Sequence, residues 1–314
     1  MFFQNVLTAA EQVAILYGPV ATGSTSDKVG VYTEKVAKSC TDLLFYIITP
    51  AVIIESFYSL EYNPETAKSL FIAMGCGFAL HVVSAGISTL VFNKCDIDEG
   101  CIYKYSCAYG NCGYMALPLA NAVLGSEGVF YCSAVIISFQ IFSFTHGIYT
   151  ITKGKAGERV KFDFKKLILN PGVISVIIGL PLFLLSVKLP EIISSPVHYI
   201  ASLNTPVAML IFGTYIANTN FKSIFKNWRI FAVSFVKLIV LPLILITAFR
   251  LIGITGSLLV ALSISAGAPT ANNTVMFSAK YDRNTGLASQ TVAVVSFISI
   301  ITLPIMIALA QAVG

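Results

Sequence analysis

The sequence predicts an all-α protein that crosses a membrane ten times, in two five-helix halves of opposite orientation. Three observations carry that expectation: an apolar composition, positive charge that alternates from loop to loop, and prolines that recur at matched places in the two halves.

Hydrophobic residues make up 56% of the 314 and charged residues 11%, with a mean hydropathy of +0.81. A soluble domain carries roughly 25% charged residues, so lipid is the solvent that suits this composition. A spanning helix needs about 20 mostly apolar residues. At ~30 residues per helix and loop, the chain holds about ten spans and leaves no room for a soluble domain. Apolar segments fall near 4–23, 39–60, 67–92, 103–124, 128–151, 166–187, 196–218, 228–250, 255–279 and 285–312.

Segment one is the least apolar of the ten. Glu11 and Gln12 interrupt it, and Gly18–Pro19, Thr22, Ser24 and Thr25 follow. Three placements stay open: kinked at Pro19, packed inside the protein, or poorly ordered. No lysine or arginine precedes its apolar stretch, which argues against a signal peptide.

The loops test the map. Of 20 Lys and Arg, 16 lie in the loops after segments one, three, five, seven and nine. Lys68, Lys188 and Arg250 lie on the other side, and Lys237 lies inside segment eight. The positive-inside rule then places the odd-numbered loops in the cytoplasm and both termini outside, in a plasma-membrane protein. The net charge of +5 belongs to these short loops and is no sign of a nucleic-acid partner. The longest connector, Lys153 to Lys166, divides the chain into a first repeat (1–152), a cytoplasmic linker (153–166) and a second repeat (167–314).

Five is an odd number, so two five-segment halves must be inverted relative to each other. Proline placement relates them. Pro50 in segment two corresponds to Pro206 in segment seven, and Pro118 in segment four to Pro269 in segment nine, at offsets of 156 and 151 residues. Segments four and nine also carry Gly110, Gly113 and Gly267 before these prolines, with asparagines around them. Two broken helices crossing near the bilayer midplane would follow. Half-helix N-termini expose free N–H groups and about half a positive charge each, which suits an anion. Asn111, Asn121, Asn272 and Asn273 are the candidate ligands, Thr270 is a candidate hydroxyl donor, and Pro118 and Pro269 shape the site. The alternative is two ordinary proline kinks with asparagines as inter-helix glue.

Four stretches resemble the auxin efflux carrier family, which includes the plant PIN-formed carriers and bacterial permeases for malate and malonate. They are GNCGYMALPLANAVLGSEG, LNPGVISVIIGLPLF, NTPVAMLIFGTYIAN and SAGAPTANNTVMFSAKYDRNTGLASQTVAVVSFISIITLPI, in that order. The resemblance runs from about Asp27 onward. It implies a scaffold from segments one, two, six and seven and a transport domain from three to five and eight to ten. It implies an X-shaped crossover at Pro118 and Pro269, an elevator mechanism and a homodimer joined through the scaffold. Segment one departs from the family, which is continuously apolar there.

Other ionisable or polar groups within segments are functional candidates. Glu55 can bind a coupling proton or sodium ion or support the substrate; a water-filled cavity or an interfacial place near Tyr58 and Glu61 is the equal alternative. Asp42 reads as interfacial. Lys237 can pair with an acid or a polar cluster, with snorkelling as the alternative. Gln140 and Ser143 can line the crossover or bond between helices, and His81 and His146 read as packing or interfacial residues. The seven cysteines show no C-x-x-C pair and read as small packing residues, and three histidines supply no metal framework.

No G-x-S-x-G or H-E-x-x-H motif is present, and Asp42 is the single plausible intramembrane aspartate. An enzyme is therefore not expected, and no cofactor is implied. A channel fits an inverted repeat poorly. The expectation is a secondary transporter of a small organic anion, with a membrane sensor of the same fold as the alternative.

Overall fold

The computed structural model describes Glu11, Ile15 and residues 18–154, 169–218 and 227–314. Residues 4–17 of segment one other than Glu11 and Ile15, the linker beyond Gly154 and residues 219–226 lie outside the described residues. The described residues are helical, with a single isolated β-bridge. We number the helices α1 (18–28), α2 (Lys35–Tyr58), α3 (Pro64–Val91), α4 (Ile97–Ala108), α5 (Cys112–Thr152), α6 (Pro171–Leu184), α7 (Glu191–Ala217), α8 (Trp228–Leu251), α9 (Gly256–Gly267), α10 (Asn273–Lys280) and α11 (Thr285–Val313). Helices α2, α3, α5, α7, α8 and α11 are long and apolar enough to cross a membrane. Helix α5 turns sharply at Gly125, whose φ of 63° and ψ of −150° suit glycine alone. Segment four is thus α4 plus the first arm of α5, segment five is the second arm, and segment nine is α9 plus α10.

Proline shapes the long helices without ending them. It lacks an N–H, and its ring clashes with the carbonyl four residues back. The chain responds by widening one turn, so that the residue before the proline bonds five residues back. Such π-turns precede Pro50 (Leu44–Ile48), Pro118 (Cys112–Ala116) and Pro242 (Val236–Val240). The amide of Thr49 reaches the Leu44 carbonyl, and that of Leu241 reaches Val236. A fourth π-turn, Ser143–Gly147, has no proline. It lies where Gly147 meets the ring of Tyr105 at a distance that leaves no space for a Cβ.

The helices pack as two groups. One is α2 with α6 and α7; the other is α3, α4, α5, α8, α9, α10 and α11. Contact between the groups runs mainly through α5. Helix α1 joins the first group. Of segment one, the described part from residue 18 is helical through Pro19, with Val20 and Gly23 buried against α7. A Cβ on Gly23 would lie 2.3 Å from the Leu210 carbonyl oxygen, and one on Gly213 2.1 Å from that of Val20. Glycine on both faces lets α1 and α7 touch backbone to backbone, as small residues do between membrane helices. Asn218 adds a bond to Asp27 at 2.9 Å.

At one end of the molecule the connectors after segments three, five, seven and nine converge. Arg283 reaches the carbonyls of Ile151 (2.9 Å) and Lys153 (2.7 Å) and the carboxylate of Asp98. Arg229 pairs with Glu99 at 3.0 Å, beside an Asn227–Tyr103 bond of 2.7 Å. All seven cysteines are free thiols.

Candidate functional site

Four helix ends meet at one place: the C-termini of α4 and α9 and the N-termini of α5 and α10. Gly110 and Thr270 form the isolated antiparallel bridge. The Asn111 amide donates to the Pro269 carbonyl at 2.6 Å, and the Ala271 amide donates to Tyr109 at 3.0 Å. Each break thus satisfies the other's backbone, as a chain interruption inside a membrane requires.

The two breaks arise differently. Pro269 bars the α conformation from Ala268, which is extended at ψ 133° and ends α9. The α4 break has no proline; Tyr109 is extended at φ −113° and ψ 113°, and Gly110 supplies the space. A Cβ on Gly110 would lie 3.0 Å from the Ala268 oxygen and 3.1 Å from Lys237 Nζ. Pro118 is not at the crossing. It lies seven residues beyond Asn111, about 10 Å along the helix, where it sets the π-turn at the start of α5. The register expected from sequence, Pro118 against Pro269, is therefore replaced by Gly110 against Thr270.

Asn111 is buried and caps α5: its Oδ1 accepts from the Tyr114 amide at 3.1 Å. Asn273, half-buried, donates to Ser143 Oγ at 3.4 Å, and Ser143 bonds Tyr105 at 2.6 Å. Asn272 is half-buried at the N-cap of α10, its side chain making no cap bond. Among the described residues the amides of Gly113, Asn272 and Asn273 have no backbone partner, as the first turn of a helix dictates. Thr270 is fully buried, and its hydroxyl donates to the Ser106 carbonyl at 2.8 Å, so it faces the protein and not a ligand. Asn121 is half-buried ten residues past Asn111, about 15 Å along the helix and away from the crossing.

The polar side chains around the crossing include several that the sequence presents as packing residues. Tyr109 bonds His146 Nδ1 at 2.7 Å. Tyr105 and Tyr109, with ring centres 4.7 Å apart, stand one turn apart on α4. Their spacing of four residues, which puts both on one helix face, is the one signal of them in the sequence. His81 bonds the Gly77 carbonyl at 2.6 Å and stacks on Tyr109 and Phe142, its Nε2 unpartnered. Gln140 is buried with its Oε1 unpaired. On the side facing α2 and α7, Tyr114 stands beside Phe45, Asp42 and Tyr215.

Lys237 and Glu55 take different places. Lys237, in the π-turn before Pro242, is fully buried and donates to the Ala266 carbonyl at 3.4 Å. Among the described residues no carboxylate pairs with it. Glu55 lies between α2 and α7, bonded to His198 at 2.7 Å, with Tyr58 bonding the Ser194 carbonyl nearby. It fastens that helix pair and is not part of the crossing.

A multi-pass membrane protein whose chain breaks twice at one buried crossing belongs structurally among membrane transporters. A family model described as "Membrane transport protein" matches residues 8–307, and the chain belongs to that family, that of the auxin efflux carriers. No curated protein matches the chain.

Proposed function

We propose that the protein is a secondary transporter of a small organic anion, bound where α5 and α10 begin. The observation that carries this reading is the convergence of two helix N-termini with unpartnered amides, flanked by Asn111, Asn272 and Asn273. Two such termini present about one positive charge to a carboxylate without a salt bridge. Among the described residues no arginine stands at the crossing to demand a second carboxylate, which favours monocarboxylates over malate-like diacids. Ten spans in two inverted repeats, with both termini outside, complete the reading. The packing of α3–α5 and α8–α11 as one group supports their movement, elevator-fashion, against a scaffold of α1, α2, α6 and α7, itself the proposed dimer contact. Coupling to protons, to sodium or to neither is compatible with the anion site.

Flux in proteoliposomes tests it. Purified protein takes up one of a panel of radiolabelled carboxylates, and Asn111→Ala and Asn272→Ala each raise its KM about tenfold while the protein stays monodisperse. Unchanged KM in both variants sinks the site. Folded protein that carries no acid in the panel points to a sensor of the same fold.

A further inference from the structure

Lys237 is a fully buried lysine that the anion site does not use. Its ammonium lies among the wrong helix ends for an anion. It donates to Ala266, in the last turn of α9, and stands where a Cβ on Gly110, just past the end of α4, would lie 3.1 Å away. These are the C-termini of the two broken helices, and each carries about half a negative charge. Together they present about one negative charge at a buried crossing. In transporters built from discontinuous helices, such C-terminal carbonyls are where a coupling cation is held.

The rest of the environment gives the ammonium no other reason to be there. Among the described residues, the other groups in electrostatic contact with it are the thiols of Cys107 and Cys112 and the imidazole of His81. A lone buried ammonium is costly, and a single long carbonyl bond does not offset that. The field of the two helix ends is the large favourable term left. The position is also built by the sequence. Pro242 widens the turn at Val236–Val240, and Lys237 is buried there, in the middle of a helix whose other cations, Arg229 and Arg250, lie at its ends.

We propose that Lys237 is a tethered cation, standing between the C-terminal ends of α4 and α9 where a transported cation would otherwise bind, so that anion binding at the opposite helix ends needs no sodium. This rests on the anion-transporter reading for its consequence in flux, not for its electrostatics. Lys237 is a positioning residue: it touches no substrate. It cancels the negative ends, leaving the N-terminal amides to dominate the field at the anion site.

Two measurements on the full chain separate this proposal from the transport reading. In detergent, thermal unfolding is followed in sodium chloride and in choline chloride at equal ionic strength. Wild type melts at the same temperature in both. Lys237→Ala melts lower in choline and recovers by several degrees in sodium, because a small cation now enters the vacated place; Lys237→Arg behaves as wild type. In proteoliposomes, wild-type uptake of the acid it carries is the same with and without a sodium gradient, and Lys237→Met, close in volume but uncharged, raises KM at least tenfold. Wild type that sodium stabilises or drives overturns the proposal, and so does Lys237→Met with wild-type KM. Should Lys237 variants fail to fold, the wild-type sodium comparison decides alone. Absence of flux for every acid defeats the substrate reading, while the melting comparison still judges Lys237.

Discussion

At the end of α4 a free carbonyl, that of Ser106, accepts a hydrogen bond from the neutral hydroxyl of Thr270. At the end of α9 the corresponding free carbonyl, that of Ala266, accepts one from Nζ of Lys237. Every helix leaves its last carbonyls without partners, and in a membrane interior no water fills the gap. The two halves solve that problem with different chemistry. A hydroxyl satisfies a hydrogen bond and leaves the charge of the crossing unchanged. Lys237, as the proposed tethered ammonium, satisfies one and adds a full positive charge. Two breaks of similar shape therefore need not be equivalent electrically, and the asymmetry lies in the caps and not in the backbone path.

Three substitutions test how far each break depends on its own device. The largest effect is expected for Gly110→Leu. Its Cβ would meet the Ala268 oxygen and Lys237 Nζ at 3.0 and 3.1 Å, and the rest of the side chain has no room. Overpacking of this kind costs about 3 kcal/mol, read as a fall of many degrees in the unfolding midpoint. A midpoint within a degree of wild type would show that the first break does not rest on close approach. Thr270→Val keeps shape and removes the cap, leaving the Ser106 carbonyl buried and alone. A loss of roughly 1–2 kcal/mol follows, and denaturant titration in detergent would measure it; no loss would mean that another donor takes the carbonyl. The smallest effect belongs to Pro269→Ala. The Pro269 carbonyl, which accepts from Asn111, is retained, so the bridge persists and the cost stays below ~1 kcal/mol. A loss as large as that of Gly110→Leu would mean that proline, and not the bridge, holds the second break open.

The sequence makes the existence of two breaks legible, because Gly and Pro within an apolar run both work against an uninterrupted helix. It does not make their register legible. Proline placement pairs residue 118 with 269, whereas the bridge pairs 110 with 270, a shift of nine residues in the offset. The reason is physical: Pro118 is absorbed by a widened turn, while the actual break at Tyr109 and Gly110 contains no proline and is held open by contacts from the other half. Thr270 misleads for a related reason. A threonine beside a break reads as a donor for a ligand, but its partner is a backbone carbonyl, and carbonyls are present at every position. Lys237 is the same case, since its acceptor is Ala266 and not an acid that a sequence could reveal. Asn111, Asn272 and Asn273 are legible as polar residues at the breaks because asparagine in an apolar run is rare, and all three lie beside the crossing. Tyr105 and Tyr109 are not, because aromatic residues fill apolar runs as packing.

Arg283 carries a consequence for how the molecule is assembled. It lies in the short connector between α10 and α11, and it gathers Asp98, Ile151 and Lys153, partners made up to 185 residues earlier. During synthesis those partners emerge long before the arginine exists. Until it arrives, the end of α5 and the start of α4 pack on each other, with Ile97 against Gly154, without the hydrogen bonds of the guanidinium. A nascent chain halted before residue 283 therefore holds α4 to the start of α8 through Arg229–Glu99 and Asn227–Tyr103 but lacks the arginine latch to α5, which comes only with the last hairpin.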